Sequence, residues 1–122
     1  MQLTPEQLKT LRHMLGINTP EDREPKPHRN YAAVYPGNPE YIELEMIGAI
    51  KWYGKQPWPG GLDYYCCTDE GKSAAIKSHR DIRYSRSKRR YIKYLHISDC
   101  FSGLTFKEFL TDPMFKDARE SA

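Results

Sequence analysis

Residues 41–76 read YIELEMIGAIKWYGKQPWPGGLDYYCCTDEGKSAAI, and this segment changes twice between helical and strand-forming patterns. Apolar residues recur at helical spacing up to Gly48. Two strand-forming runs, Ile50–Tyr53 and Leu62–Cys67, then flank QPWPGG, whose prolines and glycines favour a turn. Thr68 is placed to cap a second helix. The order helix, strand, turn, strand, helix predicts an antiparallel hairpin between two helices.

A capped helix is predicted at the N-terminus. Thr4 is the expected N-cap, Pro5 is the first helical residue, Gln7 completes a capping box, and Gly16 follows the last turn. The next residues, 17–29, contain three prolines among charged residues, so no regular structure is expected there.

A strand and a helix are predicted between this loop and the hairpin. Tyr31–Tyr35 is rich in β-prone residues and stops at Pro36. Asn38 then caps a helix that runs from Pro39 to Met46 or Ile47 and is expected to pack against the first helix.

Capping signals also organise the C-terminal part of the chain. The helix that Thr68 caps is expected to run from Asp69 toward Arg83, and Ser85 or Ser87 begins the next helix. Further on, Thr105 and Glu108 form a capping box, and a short turn begins at Asp112. The apolar face of the helix after Ser85 is expected to contain Tyr91, Ile92, Leu95 and Tyr94.

A chain of 122 residues is expected to form one domain with one modest core. The pattern predicts an α+β fold in four segments. These are a first helix (1–16), a proline-rich loop (17–29), a core containing the hairpin (30–83) and a basic helical extension (84–122).

The net charge of +3 conceals a strong asymmetry. Between Lys72 and Lys93 there are nine basic residues and one acid, Asp81, so this segment carries +8 and the remainder −5. Such a positive field attracts polyanions and acidic surfaces. The charge pattern therefore points to a nucleic acid or an acidic protein as the partner.

The central segment resembles the wing region of winged-helix regulators. The resemblance rests on Glu45-Met46-Ile47-Gly48-Ala49-Ile50, the hairpin, and Asp63-Tyr64-Tyr65-Cys66-Cys67-Thr68-Asp69-Glu70-Gly71-Lys72. In those regulators a hydrophobic helix ends before a wing, and the last strand leads into a Thr-x-x-Gly helix start. The resemblance implies a winged-helix-like centre, although the usual second helix would fall in the proline-rich residues 17–29.

The whole chain resembles a set of small proteins encoded by tailed bacteriophages and prophages. The matching residues are the opening Leu3-Thr4-Pro5-Glu6-Gln7-Leu8, Leu11 to Gly16, Arg29-Asn30-Tyr31, the wing segment described above, Ser85 to Tyr94, and Phe106-Lys107-Glu108-Phe109-Leu110. This resemblance implies a phage context and no particular chemistry.

Catalysis and metal binding are not expected. Cys66 and Cys67 alternate on a strand, so they cannot both ligate one metal, and no paired Cys or His spacing is present. Buried thiols are the preferred interpretation for Cys66 and, by extension, Cys100. His79 and His96 are expected on helices, contacting phosphate or nothing. No phosphate-binding glycine loop or catalytic motif occurs, so the protein is predicted to be a non-enzyme without cofactors.

The predicted function is binding of a polyanion, with nucleic acid favoured, by a phage-encoded accessory protein. The alternative is a phage inhibitor of a host defence complex, such as a CRISPR effector, that acts by binding a protein or ribonucleoprotein. Trp58 is expected at the hairpin tip, either exposed or folded back onto the sheet. The predicted contact residues are Lys55, Trp58, Lys77, Arg80, Arg83, Arg86, Lys88, Arg89, Arg90 and Lys93.

No apolar run is long enough to cross a bilayer, and the first residues lack a signal-peptide pattern. Three cysteines without a secretion signal suit free thiols. We therefore expect a location in the host cytosol, with no membrane or small-molecule partner.

Overall fold

A computed structural model describes residues 1–122, which form two compact units, 1–82 and 83–122. The protein is α+β, as predicted, with six α-helices and one three-stranded antiparallel sheet. The first unit contains α1 (Pro5–Leu15), β1 (Ala32–Val34), α2 (Pro39–Ile47), β2 (Ile50–Lys55), β3 (Asp63–Cys67) and α3 (Asp69–Ile82). The second unit contains α4 (Arg86–Ser98), α5 (Phe106–Thr111), a 3₁₀ turn (Pro113–Phe115) and α6 (Lys116–Glu120). The single-domain assignment stays a prediction.

The capping signals act where they were expected. Thr4 and Gln7 form a reciprocal capping box, and Gly16 ends α1 with φ +72°. The Asn38 side chain accepts from two backbone N–H groups at the start of α2, and Gly48 ends that helix with φ +90°. Glycine adopts such left-handed angles without the steric penalty of a Cβ atom. Local sequence therefore set the helix ends.

The sheet has the order β1-β3-β2, with β3 in the centre. Ala32 pairs with Tyr65 across β1 and β3, and Trp52 pairs with Tyr65 across β2 and β3. A β-bulge interrupts β2 between Trp52 and Gly54. The extra residue there is Tyr53, and bulges of this kind bend a strand and turn its side chains.

The core of the first unit lies between the three helices and one face of the sheet. Tyr41 and Tyr65 are in tilted aromatic contact inside it, with ring centroids 5.5 Å apart. Burial of these apolar side chains supplies the main stabilisation of the unit. Its buried members are Leu11, Met14, Leu15, Ile17, Tyr41, Leu44, Ala49, Ile50, Tyr65 and Ala75.

The second unit packs around aromatic rings. Phe109 is fully buried and lies within 6.0 Å of the rings of Tyr94 and Phe115, centroid to centroid. Phe106 and Tyr91 are in T-shaped contact, and the Tyr94 hydroxyl donates to the Leu104 carbonyl at 2.9 Å. Aromatic pairs of this kind add specific geometry to the burial of apolar area.

Candidate functional site

The basic helix α4 begins with Ser85, whose hydroxyl accepts from the Lys88 backbone N–H at 3.2 Å. Its sequence, RSKRRYIKYLHIS, contains five Lys or Arg residues and no carboxylate. Arg86 and Lys88 in the first turn are exposed. Cations at a helix N-terminus oppose the helix dipole, so these two charges do not contribute to the stability of the helix.

The other basic residues of α4 are less open than the sequence predicted. Arg89, Arg90 and Lys93 are half-buried, and Arg89 donates to the Tyr84 carbonyl at 2.6 Å. The Lys88 ammonium lies 4.2 Å from the centre of the Tyr84 ring, within cation–π range. The cationic surface of α4 is therefore centred on its first turn.

The predicted apolar face of α4 needs correction. Tyr91 and Leu95 are exposed, whereas Ile92 and Tyr94 are half-buried, and no residue of α4 is fully buried. The long stems of arginine and lysine can pack against protein while their charged ends stay accessible. The half-buried side of α4 therefore includes basic residues. Helical periodicity alone had predicted that only apolar residues would lie on that side.

The predicted contact residues Lys77 and Arg80 lie on α3 in the first unit, and both are exposed. Arg80 forms an ion pair with Asp81 at 3.9 Å, which is solvated on both sides and contributes little to stability. Lys77 and Arg80 line a groove of about 250 Å³ whose other lining residues include the apolar Leu3 and Leu8. Arg83 is exposed and belongs to the second unit.

Trp58 is exposed, which decides between the two alternatives for the hairpin tip. Its exposed fraction is 56%, and Lys55 at the end of β2 is exposed as well. The loop is held by Gln56, whose backbone N–H donates to the Leu62 carbonyl and whose side-chain oxygen accepts from the Leu62 N–H, both at 2.9 Å. The indole is thus presented on an ordered turn.

A buried arginine was missed by the sequence analysis. Arg12 is only 5% exposed, and its guanidinium donates to Ser78 Oγ at 2.7 Å and to Asn18 Oδ1 at 3.0 Å. Burial lowers the pKa of Arg12, and the Asp81 carboxylate opposes this shift. Both partners at hydrogen-bond distance are neutral. Arg12 therefore links α1 to Ser78 of α3 through a hydrogen bond rather than through a buried ion pair.

His79 lies on a helix, as expected, but it is buried and therefore not available to contact a phosphate. It is 1% exposed, and its Nε2 lies 2.9 Å from the Thr19 carbonyl oxygen. Helical spacing places His79 one turn after Ala75, which also lies in the core, and this was the signal available in the sequence. His96 is exposed on α4.

The cysteines are placed differently from the prediction. Cys100 is exposed, Cys66 is half-buried, and Cys67 is the thiol that packs against the core. Burial raises the pKa of Cys67 to about 11, with Cys66 adding to the shift and Lys72 opposing it. No three His, Cys, Asp or Glu residues are grouped so as to hold a metal ion.

Comparison with family models, curated proteins and solved structures gave no match to this chain. No helix combines the length and the apolar character that a membrane span requires.

Proposed function

We propose that the protein is a non-enzymatic nucleic-acid-binding protein that uses the basic helix α4. The observation that carries this proposal is that most basic side chains of α4 have no carboxylate partner within the protein. Arg86, Lys88, Arg90 and Lys93 form no ion pair with a carboxylate of the protein. Each unpaired cation that meets a phosphate releases a condensed counterion, which supplies much of the affinity for nucleic acid. Clustered cations without carboxylates otherwise repel one another, so a polyanion is the complementary partner.

The helix α2 is a poor candidate for insertion into a DNA groove. It contains Glu40, Glu43 and Glu45, which would meet phosphates at like charge. Two of these carboxylates have partners within the protein. Glu40 accepts from the Thr10 hydroxyl, and Glu45 accepts from the Trp52 backbone N–H at 2.9 Å. In this proposal α2 has a structural role.

The proposal includes a winged-helix-like scaffold for the first unit. It is supported by α2 ending at Gly48, by the β2–β3 hairpin with its exposed tip, and by the start of α3. There the Thr68 hydroxyl accepts from the Gly71 N–H at 3.1 Å, which is the Thr-x-x-Gly cap of the resemblance. Residues 17–29 contain no helix, so a complete helix-turn-helix is not part of the proposal.

The test is a titration of the full-length protein into labelled duplex and single-stranded DNA, followed by fluorescence anisotropy at low and moderate salt. The variant Arg86→Glu/Lys88→Glu reverses the two most exposed charges of α4. We expect its affinity to fall by about tenfold or more at low salt. A matched control, Lys107→Glu/Lys116→Glu, makes the same change in net charge at exposed positions of the same unit. Absence of binding by the unmodified protein at low salt would overturn the proposal.

The second candidate is a phage-encoded inhibitor of a host defence complex. It is favoured by Ile42 and Met46, which lie one turn apart on α2 and are both exposed. Apolar side chains on an acidic helix suit a protein surface better than a phosphate backbone. A pull-down from nuclease-treated host lysate with the protein and with Met46→Glu tests this candidate. A partner retained equally by both would show that α2 is not the contact.

A further inference from the structure

The sheet of the first unit has one face covered by helices and one face open. Helices α1 and α3 contact β3, and α2 contacts β2. Residues that pair across strands share a face, so Ile50, Tyr65 and Cys67, which join the core, identify the covered side. The alternate residues of each strand lie on the other side.

Tyrosine dominates the open side. Tyr64 lies between Ala33 and Gly54 in the register, so its neighbours on the two adjacent strands are an alanine and a glycine. The bulge in β2 sets Tyr53 beside Gly54, opposite Tyr64, and the Lys51 ammonium lies 5.7 Å from the Tyr53 ring. We call the residues Tyr31, Tyr35, Lys51, Tyr53 and Tyr64 the tyrosine face.

Most rings of the tyrosine face are accessible. Tyr35 has an exposed fraction of 79%, and Tyr31 and Tyr53 are also exposed. Tyr31 and Tyr35 immediately precede and follow β1, and alternation along the extended chain places them on the same side as Ala33. The Tyr64 hydroxyl is hydrogen-bonded to Gln56 Nε2 at 3.1 Å, which fixes that ring at the centre.

We infer that the tyrosine face binds single-stranded nucleic acid by stacking its rings on unpaired bases. Two properties select this ligand. The strand residues on this side include a lysine and no carboxylate, so the charge complements a phosphate backbone. They also include no aliphatic side chain larger than alanine, so aromatic rings supply most of the contact area on this side.

Stacking also accounts for the arrangement of large and small residues. Bases need an accessible ring plane, and the small residues Ala33 and Gly54 add little bulk beside the half-buried Tyr64 ring. An aromatic sheet face with a neighbouring cation is a general solution for unpaired bases, since every base has a π face. A duplex keeps its bases stacked inside, so it gains nothing from these rings. The inference rests on the proposed function for its ligand class, which is nucleic acid. It assigns a second site, the tyrosine face, and a preference of that site for single strands.

The test compares binding of a labelled oligo-dT and of a duplex of equal length by full-length variants. Tyr35→Ala/Tyr53→Ala removes two exposed rings, and Tyr35→Phe/Tyr53→Phe keeps the rings without the hydroxyls. We expect each lost ring to weaken binding about fivefold, so the alanine variant should bind oligo-dT about 25-fold more weakly than the unmodified protein. Its affinity for the duplex should be unchanged. The phenylalanine variant should bind as the unmodified protein does. The control Met46→Ala removes an exposed side chain from α2 and should have no effect.

Unchanged oligo-dT binding by the alanine variant, or an equal loss for oligo-dT and duplex, would overturn the inference. A second measurement needs no substitution. Ultraviolet cross-linking of bromouridine-labelled oligonucleotide to the unmodified protein should label peptides within residues 30–35 and 51–64, and labelling confined to other peptides would also overturn it.

The two proposals fail separately. If Arg86→Glu/Lys88→Glu abolishes binding and the alanine variant does not, the α4 site stands and the tyrosine face is excluded. The reverse result retains the tyrosine face and excludes α4.

Discussion

Gly71, in the first turn of α3, lies directly against the backbone of Ala49. A Cβ atom added at Gly71 would overlap the carbonyl oxygen of Ala49, which also accepts from the Thr68 N–H at 3.0 Å. The start of α3 is therefore pressed onto the segment that links α2 to β2. Glycine permits this approach because it has no side chain.

We expect Gly71→Ala to destabilise the protein by about 2 kcal/mol or more, because the overlap is with backbone that cannot move aside. This outweighs the gain of about 1 kcal/mol in helix propensity. Urea unfolding measures the difference in free energy. Ser73→Ala, at an exposed position of the same helix, is the control and should change stability by less than about 0.5 kcal/mol. A stable Gly71→Ala protein would contradict the close approach.

Arg12→Ala should destabilise the first unit by about 2 kcal/mol, because it leaves Ser78 and Asn18 without their donor and removes a packed side chain. Thermal and urea unfolding report the loss. Lys9→Ala removes the same charge from an exposed position of α1 and should be nearly neutral. Equal effects of the two substitutions would show that the contribution of Arg12 comes from net charge rather than from its contacts.

The raised pKa of Cys67 predicts a loss of stability in alkali. An unfolded thiol loses its proton near pH 8.5, whereas the folded Cys67 keeps its proton to about 11. Between these values the folded state binds more protons than the unfolded state, so stability is complete below about pH 8.5 and falls as the pH rises through this window. The measurement is the melting temperature at stepped pH. The melting temperature of Cys67→Val should fall less steeply with pH, and Cys100→Ser, which removes an exposed thiol, is the control.

Under the proposed function, the salt dependence of DNA binding should report the charges of α4. If Arg86 and Lys88 each contact a phosphate, neutralising both as Arg86→Gln/Lys88→Gln lowers the slope of log K against log salt by about 2. The measurement is anisotropy over about 50 to 200 mM salt. Lys107→Gln/Lys116→Gln should leave the slope unchanged, and a slope unaffected by the α4 substitutions would remove these residues from the interface.

The sequence by itself determined the α+β class and where most helices begin, whereas the predicted strand ends differ from the observed ones by one or two residues. Caps at Thr4, Asn38 and Thr105 act through atoms within three residues, so the local sequence is enough to place them, whereas Ser85 and Ser87 remained alternatives for α4. The hairpin followed likewise from a turn between two strand-forming runs.

Only the tertiary structure decided which side chains are buried or brought together. Arg12 and Ser78 are 66 residues apart in the chain, and no periodicity predicts their contact. Glycine at position 71 lowers the stability of an isolated helix, but the close approach of the Ala49 backbone leaves no room for a Cβ atom there. The rings of the tyrosine face come from separate strands, which the register aligns on one side. Local patterns record preferences within a few residues, whereas burial and surface composition depend on which distant segments pack together.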